Sequence, residues 1–178
     1  MYPPAAGPQL SDLLTLFPAA DWLRAYEYIP ADAVPEPYHA LLVHEEHMTV
    51  TVEAHHGSLV DVRVLERIHE GDTYARKILL ALQSTGRIVQ FGLVRIHFQY
   101  CSDAVRQEIV AGQTPLGRVL INHNVLRRIE PIAFLRVLPG PAMAEWFGQK
   151  KPQPVYGRLA MIHCDEQPAV ELLEIVAP

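Results

Sequence analysis

Residues 74–98, YARKILLALQSTGRIVQFGLVRIHF, predict two strands joined by one tight turn. Tyr74 to Leu82 and Ile88 to Phe98 are rich in large apolar and β-branched residues, which are typical of strands. Ser84-Thr85-Gly86 is a turn signal, and so short a connection joins antiparallel neighbours. The stretch therefore predicts an antiparallel hairpin.

The chain on either side of this hairpin adds further strands and several helices. Additional strands are predicted at 48–55, 59–68, 129–138, 156–163 and 169–176. Helices are predicted to begin near Ser11, Asp21, Pro37, Ser102, Thr114 and Pro141. Because the helices cluster at the N-terminus and in the middle instead of alternating with the strands, the pattern indicates an α+β fold with an antiparallel sheet.

The size of the chain suits one domain. It has 178 residues, of which 49% are hydrophobic, and this is enough to build a core. We expect residues 1–178 to form a single domain in which residues 1–36 are an N-terminal extension with short helices.

Charge and cysteine content narrow the class of protein. The net charge is −5 at pH 7 and the basic residues are scattered, so we expect no nucleic-acid partner. No apolar run approaches the roughly 20 residues of a membrane span, and the N-terminus does not resemble a signal peptide. Cys101 and Cys164 are too few for a disulfide framework, so we expect reduced thiols in a cytoplasmic protein without a membrane partner.

The run Gln113-Thr114-Pro115-Leu116-Gly117-Arg118 predicts a helix start. Thr114 suits the N-cap and Pro115 the first helical position, which leaves free N–H groups on the next three residues. Gly117 has no side chain to block a ligand that approaches them. Such a helix start favours a carboxylate or phosphate, although an ordinary capped helix would have the same sequence.

Two charged residues lie on strand faces that are otherwise apolar. Arg76 shares its face with Tyr74, Ile78 and Leu80, and Glu174 shares its face with Val170, Leu172 and Val176. Buried charges are costly unless they are paired. Either Arg76 and Glu174 form one structural ion pair, or an acidic ligand with a polar tip lies between them.

Four segments together resemble the chorismate pyruvate-lyases, a family with the chorismate lyase-like fold. They are Leu41-Leu42 followed by His47-Met48-Thr49, then Arg76-Lys77-Ile78-Leu79-Leu80, then Thr114-Pro115-Leu116-Gly117-Arg118, and finally Gln167-Pro168 with Glu174 and Pro178. The Thr-Pro-Leu-Gly-Arg helix start is the most specific of the four. The resemblance extends from about residue 41 to the C-terminus.

The resemblance implies a fold and an activity. The fold is a single antiparallel β-sheet of about six strands with helical flaps over a buried ligand site. The activity is elimination of pyruvate from chorismate to give 4-hydroxybenzoate, a carbon–oxygen lyase reaction of ubiquinone or aromatic biosynthesis that needs no metal and no cofactor. Arg76 would hold the ring carboxylate together with main-chain groups of Met48 and Leu116. Glu174 would act as general acid on the departing ether, or polarise it.

The chain departs from the family pattern in two places. One additional residue separates Pro168 from Glu174, which makes Glu171 a rival for the carboxylate role. Because the two glutamates differ by three positions, an ordinary strand places them on opposite faces. The family has a Gly-Arg pair where this chain has Gly92-Leu93, and Arg95 is the candidate substitute for the missing basic group.

Other functions remain open at this point. The same fold resembles the effector-binding domain of some transcription regulators, although the roughly 40 residues before the sheet are short and acidic for a DNA-binding domain. A lyase that gives another hydroxybenzoate is a further alternative. His44 and His47 have no third ligand at a recognisable spacing, so we expect no metal. The expected partner is therefore a small molecule, chorismate, bound to a monomer or weak dimer.

Overall fold

The computed structural model describes residues 7–19 and 21–178. Within them, seven strands form one antiparallel sheet in the order β1-β5-β6-β7-β4-β3-β2. The strands are β1 (Leu23–Ile29), β2 (Val60–Glu70), β3 (Thr73–Leu82), β4 (Ile88–His97), β5 (Arg127–Pro139), β6 (Val155–Cys164) and β7 (Gln167–Val176). The α-helices are α1 (Leu10–Leu16), α2 (Tyr38–Leu42), α3 (Met48–His56), α4 (Asp103–Ala111), α5 (Leu116–Asn122) and α6 (Pro141–Trp146). The predicted α+β class with one antiparallel sheet is confirmed, with seven strands where about six were expected.

Short turns make the three hairpins β2–β3, β3–β4 and β6–β7, as the sequence predicted. The turn between β6 and β7 consists of Asp165 and Glu166, whose φ angles are +49° and +68°. Positive φ at both central residues matches the right-handed twist of the strands in a two-residue hairpin. Pairing of β7 with β4 then joins the β5–β6–β7 half of the sheet to the β2–β3–β4 half.

Helices cover the sheet on both faces. The back face packs against α1 and α6, in a core that includes Leu13, Phe17, Trp22, Phe91 and Met143. The front face packs against α2, α3, α4 and α5 in two separate apolar clusters, one around Ile96 and Ile109 and the other around Leu42 and Val52. No helix in the described part of the chain has the length and apolar character needed to cross a membrane. Cys101 and Cys164 are both free thiols.

The strand predicted at 48–55 is wrong, because these residues form helix α3. Its alternating Thr and Val residues favour a strand, but Met48, Thr49 and Val52 are the buried residues of the helix. Met48 and Val52 are four positions apart and contact the front of the sheet from one side of α3, so tertiary burial outweighs intrinsic propensity. Gly57, with φ of +62°, ends the helix in the left-handed conformation.

The helix predicted to begin at Asp21 is also wrong, because Leu23–Ile29 is the edge strand β1. Trp22 is fully buried on the back face, with its ring centroid 4.6 Å from that of Phe91. This anchor leaves the following residues extended beside β5, with which they pair from Leu23 to Ile29. The N-terminal extension therefore supplies helix α1 and a strand of the sheet, while residues 1–6 and Ala20 lie outside the described residues.

Candidate ligand-binding site

A cavity lies on the front face between the two apolar clusters. The cavity volume is about 40 Å³, and the unfilled space counted with its open mouth is about 440 Å³. Its walls come from β2, β3, β4, β6 and β7 below and from α5 and the residue before α3 above. Most lining residues are apolar, and the polar side chains among them are His47, Arg76, Gln90 and Glu174.

Arg76 enters this cavity from β3, on the same strand face as Ile78 and Leu80. It is only 1% exposed. One long hydrogen bond, from Nη1 to the carbonyl of Ile109 at 3.4 Å, holds it, and its Nε has no partner among the described residues. Burial lowers the pKa of the Arg76 guanidinium below its usual value. Arg76 is therefore a buried cation that forms no ion pair with any carboxylate in the described part of the chain.

Glu174 lines the same cavity but pairs with a different arginine. The Nε of Arg158 on β6 donates to Glu174 Oε2 at 2.7 Å, and Arg158 is 1% exposed. The alternative of a structural ion pair between Arg76 and Glu174 is thus wrong. Sequence reasoning missed Arg158, although it alternates with Tyr156 and Ala160 on a largely apolar strand in the way that identified the other two charges.

Arg158 also fixes the segment between α2 and α3. Its Nη1 donates to the carbonyls of Leu42 at 3.2 Å and His44 at 2.8 Å, and its Nη2 donates to the carbonyl of Glu46 at 3.1 Å. These bonds hold residues 42–46 over the sheet. Arg158 is therefore a structural clamp whose donors are used within the protein.

Glu171, the rival carboxylate, lies on the back face of the sheet, away from the cavity. It accepts from Arg95 Nε at 3.0 Å and pairs with His97 Nε2 at 2.9 Å. Burial alone would raise the pKa of Glu171, but the hydrogen bonds from Arg95 and His97 bring it below its usual value. Arg95 consequently pairs with Glu171 and does not replace a basic group in the cavity, so that expectation is wrong.

Leu116 and Met48 differ in their relation to the cavity. Leu116 begins α5 and lines the cavity, whereas Met48 is buried in the core beneath α3 and its neighbour His47 takes the lining position. The residue before the helix is Pro115, with extended backbone at ψ of 141°, and no side chain caps α5. The predicted capping role of Thr114 is therefore wrong, and the helix begins one residue later than expected.

Gly117 lines the cavity, and its lack of a side chain serves helix packing. A Cβ at this position would lie 2.9 Å from Thr49 Oγ1 and 3.2 Å from His47 Cβ. The absent side chain thus gives room to the start of α3, which packs directly on α5. The sequence indicated that this glycine matters, but the space it leaves is occupied by protein.

His47 is held neutral at the edge of the cavity. Arg127 Nε donates to His47 Nε2 at 2.6 Å, so the imidazole accepts at that nitrogen. Burial, with the nearby charges of Arg127 and Arg158, lowers the pKa of His47 to about 4. No group of three histidine, cysteine or acidic side chains suited to a metal occurs in the described residues.

Gln90 was not identified from the sequence as a site residue. It lies on β4 two residues before Gly92, is 4% exposed, and lines the cavity. Its Oε1 is buried and has no hydrogen-bond partner in the part of the chain that the structure describes. The available signal was a single amide within the apolar run Ile88–Val94.

Comparison with known proteins finds similarity in structure alone. No family model matches the chain, and no curated protein matches its sequence. The effector domain of PhnF from Mycobacterium smegmatis is similar, with a TM-score of 0.51 and 11% identity over 74% of this chain and 88% of that domain. This chain therefore shares its fold with that effector domain.

Two longer proteins are similar over part of their length. PhnF from Mycobacterium smegmatis has a TM-score of 0.49 and 11% identity over 72% of this chain and 62% of its own. YydK from Bacillus subtilis, described as a possible transcriptional regulator, has a TM-score of 0.48 and 13% identity over 66% and 57%. The chain spans about six tenths of the length of these two proteins.

The two buried arginines should respond in opposite ways to removal of their charge. Arg158→Met leaves Glu174 unpaired in the core and should lower the free energy of unfolding by about 3–5 kcal/mol. Arg76→Met removes a buried charge that has no carboxylate partner, so it should leave the free energy of unfolding unchanged or raise it. Urea denaturation of the two variants without ligand measures the difference. A comparable loss in both would make Arg76 a structural residue like Arg158.

His47 should make stability depend on pH. Its pKa is about 4 in the folded protein and 6.5 in the unfolded chain, so between these values only the unfolded chain takes up the proton. The contribution of His47 to the free energy of unfolding should therefore fall by about 3 kcal/mol as the pH drops from 7 to 4. His56, whose pKa is also lowered to about 4, adds a fall of its own. In urea denaturation His47→Gln should remove the His47 contribution, whereas His39→Gln on the surface should keep it. An unaltered pH dependence in His47→Gln would contradict the assignment.

Proposed function

We propose that this chain binds a small organic acid in the front cavity and acts as a ligand-sensing domain. The observation that carries the proposal is the guanidinium of Arg76, which faces the cavity, is 1% exposed and has no carboxylate partner among the described residues. Keeping such a charge buried costs several kcal/mol. A ligand carboxylate would offset that cost through a two-pronged hydrogen bond, with each charge-assisted bond contributing about 1.5–3 kcal/mol.

The other lining groups of the cavity indicate which chemical groups the far end of the ligand carries. Glu174 uses Oε2 for Arg158, which leaves Oε1 to accept from a hydroxyl. Ile78, Val94 and Leu172 supply apolar walls between Arg76 and Glu174 that suit a ring. An acid with a ring and a hydroxyl at its far end, such as 4-hydroxybenzoate, has this pattern of groups.

Two observations favour sensing over turnover. Glu174 is engaged by Arg158, whose remaining donors hold residues 42–46, so delivery of a proton from Glu174 would require this ion pair to break. The effector domain of PhnF has the same fold, and an effector domain is a module that responds to a ligand. A binding role needs only the arrangement that the folded chain already has.

The second candidate function is the chorismate pyruvate-lyase activity that the sequence resemblance implies. Its specific support is that Arg76, Leu116 and Glu174 all line one cavity, although they come from β3, α5 and β7. Arg76 would hold the ring carboxylate, and Glu174 would protonate or polarise the ether. The bond between the ring carbon and the ether oxygen would break, the carbon bearing the hydroxyl would lose its proton, and enolpyruvate would take up a proton to become pyruvate. Aromatisation of the ring would drive the elimination, and the protein would orient and desolvate the substrate.

Arg76 should dominate the affinity for the acid. Arg76→Ala should weaken 4-hydroxybenzoate binding at least a hundredfold, about 2.7 kcal/mol, because the carboxylate loses the buried cation that would hold it. Arg76→Lys should recover part of the affinity, since a single ammonium cannot form the two-pronged contact. Titration calorimetry measures both variants against Arg128→Ala, an exposed arginine outside the cavity. Wild-type affinity in Arg76→Ala would refute the proposed ligand site.

Incubation with chorismate separates the two functions. Sensing predicts that the protein binds the acid and releases no product, whereas the lyase predicts 4-hydroxybenzoate and pyruvate in equal amounts. If turnover occurs, Glu174→Gln should lower kcat by roughly 10²-fold or more, the scale of lost general-acid help. Glu171→Gln, on the opposite face, is the matched control and should change kcat little. A different hydroxybenzoate among the products would identify the third alternative, and a protein that neither binds nor converts these acids would refute all of them.

A further inference from the structure

The cavity holds a second side chain with an unsatisfied polar atom. Gln90 is 4% exposed, lines the cavity, and has a buried Oε1 without a partner among the residues that the structure describes. A glutamine amide offers two donors and an acceptor oxygen, and burying these groups without partners is unfavourable. Arg76 shows the same feature, and a ligand explains both. The 4-hydroxybenzoate pattern, however, supplies nothing for Gln90.

The sheet register places Gln90 relative to the two charges. On β4, Val94 lies directly opposite Arg76 of β3, and Gly92 lies directly opposite Glu174 of β7. Gln90, Gly92 and Val94 are alternate residues, so they share the front face at steps of about 6.6 Å. Strand β4 is therefore the floor of the cavity, with Arg76 beside one end, Glu174 beside the middle and Gln90 at the other end.

Gly92 itself places no side chain in the middle of this floor, and Ile78 packs over it, with Cδ1 3.2 Å from where a Cβ would lie. A flat ring packed against Ile78 near Gly92 would extend its carboxylate toward Arg76 and its far end toward Glu174 and Gln90. Glu174 and Gln90 are one diagonal step apart on adjacent strands, a spacing of about 7–8 Å or less that side chains readily bridge.

We infer that Gln90 is a specificity-determining residue, and that the ligand is a cyclic carboxylic acid with two polar substituents on neighbouring atoms at the end away from its carboxylate. Glu174 accepts from one substituent and the Gln90 amide pairs with the other. The inference rests on the proposed function, because it requires the carboxylate to lie at Arg76. Among simple aromatic acids, 3,4-dihydroxybenzoate has the two substituents and 4-hydroxybenzoate has only one.

Titration calorimetry with these two acids tests the inference. The wild-type protein should bind 3,4-dihydroxybenzoate at least tenfold more tightly than 4-hydroxybenzoate. Gln90→Leu should reduce this preference to within about twofold, by losing more affinity for the dihydroxy acid. The apo form of this variant should unfold at a higher temperature than wild type, because an unsatisfied amide has been replaced by an apolar side chain. Gln107→Leu, an exposed amide on α4, is the matched control and should keep the wild-type preference.

The outcomes distinguish a failure of this inference from a failure of the proposed function on which it rests. If wild type binds both acids equally and Arg76→Ala abolishes both, the ligand site stands and the role of Gln90 is overturned. A preference that persists in Gln90→Leu overturns it as well. If wild type binds neither acid, the proposed function fails and the inference fails with it. Gln90→Met, whose side chain has nearly the length of glutamine, gives the same test should the leucine variant not fold.

Discussion

The buried hydrogen bonds of Arg158 connect the sheet to the segment that covers the cavity. Its Nε pairs with Glu174, and its Nη atoms donate to the carbonyls of Leu42, His44 and Glu46. These bonds fix the segment between α2 and α3 over the sheet. The fixed segment in turn positions His47 and helix α3. Because Glu174 is already paired, it does not neutralise Arg76. The buried ion pair therefore both closes the cavity and leaves one cation in it without a partner.

The polar side chains of the cavity interrupt what could be one continuous core. The front face has two apolar clusters, and Arg76, Gln90 and Glu174 lie between them on three adjacent strands. Apolar residues at Arg76 and Gln90 would join the clusters and remove two unsatisfied groups. A chain that retains polar groups at such positions sacrifices stability for function, which is the expected place for local rules to fail.

Strand alternation made part of this arrangement predictable. Six strands and the front-face positions of Arg76 and Glu174 follow from a period of two residues, which is a local property of the sequence. The helix at 48–56 and the strand at 23–29 do not follow, because burial against distant residues decides both. The ion pair between Arg158 and Glu174 could not be predicted from the sequence either. It depends on which strands are neighbours, and β6 meets β7 with Arg158 directly opposite Glu174.

Sensing and elimination would need the same grip on the ligand and would differ in the supply of a proton. His47 is the imidazole that lines the cavity, but Arg127 donates to its Nε2 and its pKa is about 4, so it is neutral at pH 7 and has no acidic proton to give. The ion pair between Glu174 and Arg158 would have to break first. Because the same guanidinium donates to carbonyls of residues 42–46, its movement would also weaken those hydrogen bonds. Proton delivery would thus be coupled to loosening of the segment that covers the cavity. Binding alone avoids that coupling, and this is the physical reason to favour a sensor of organic acids.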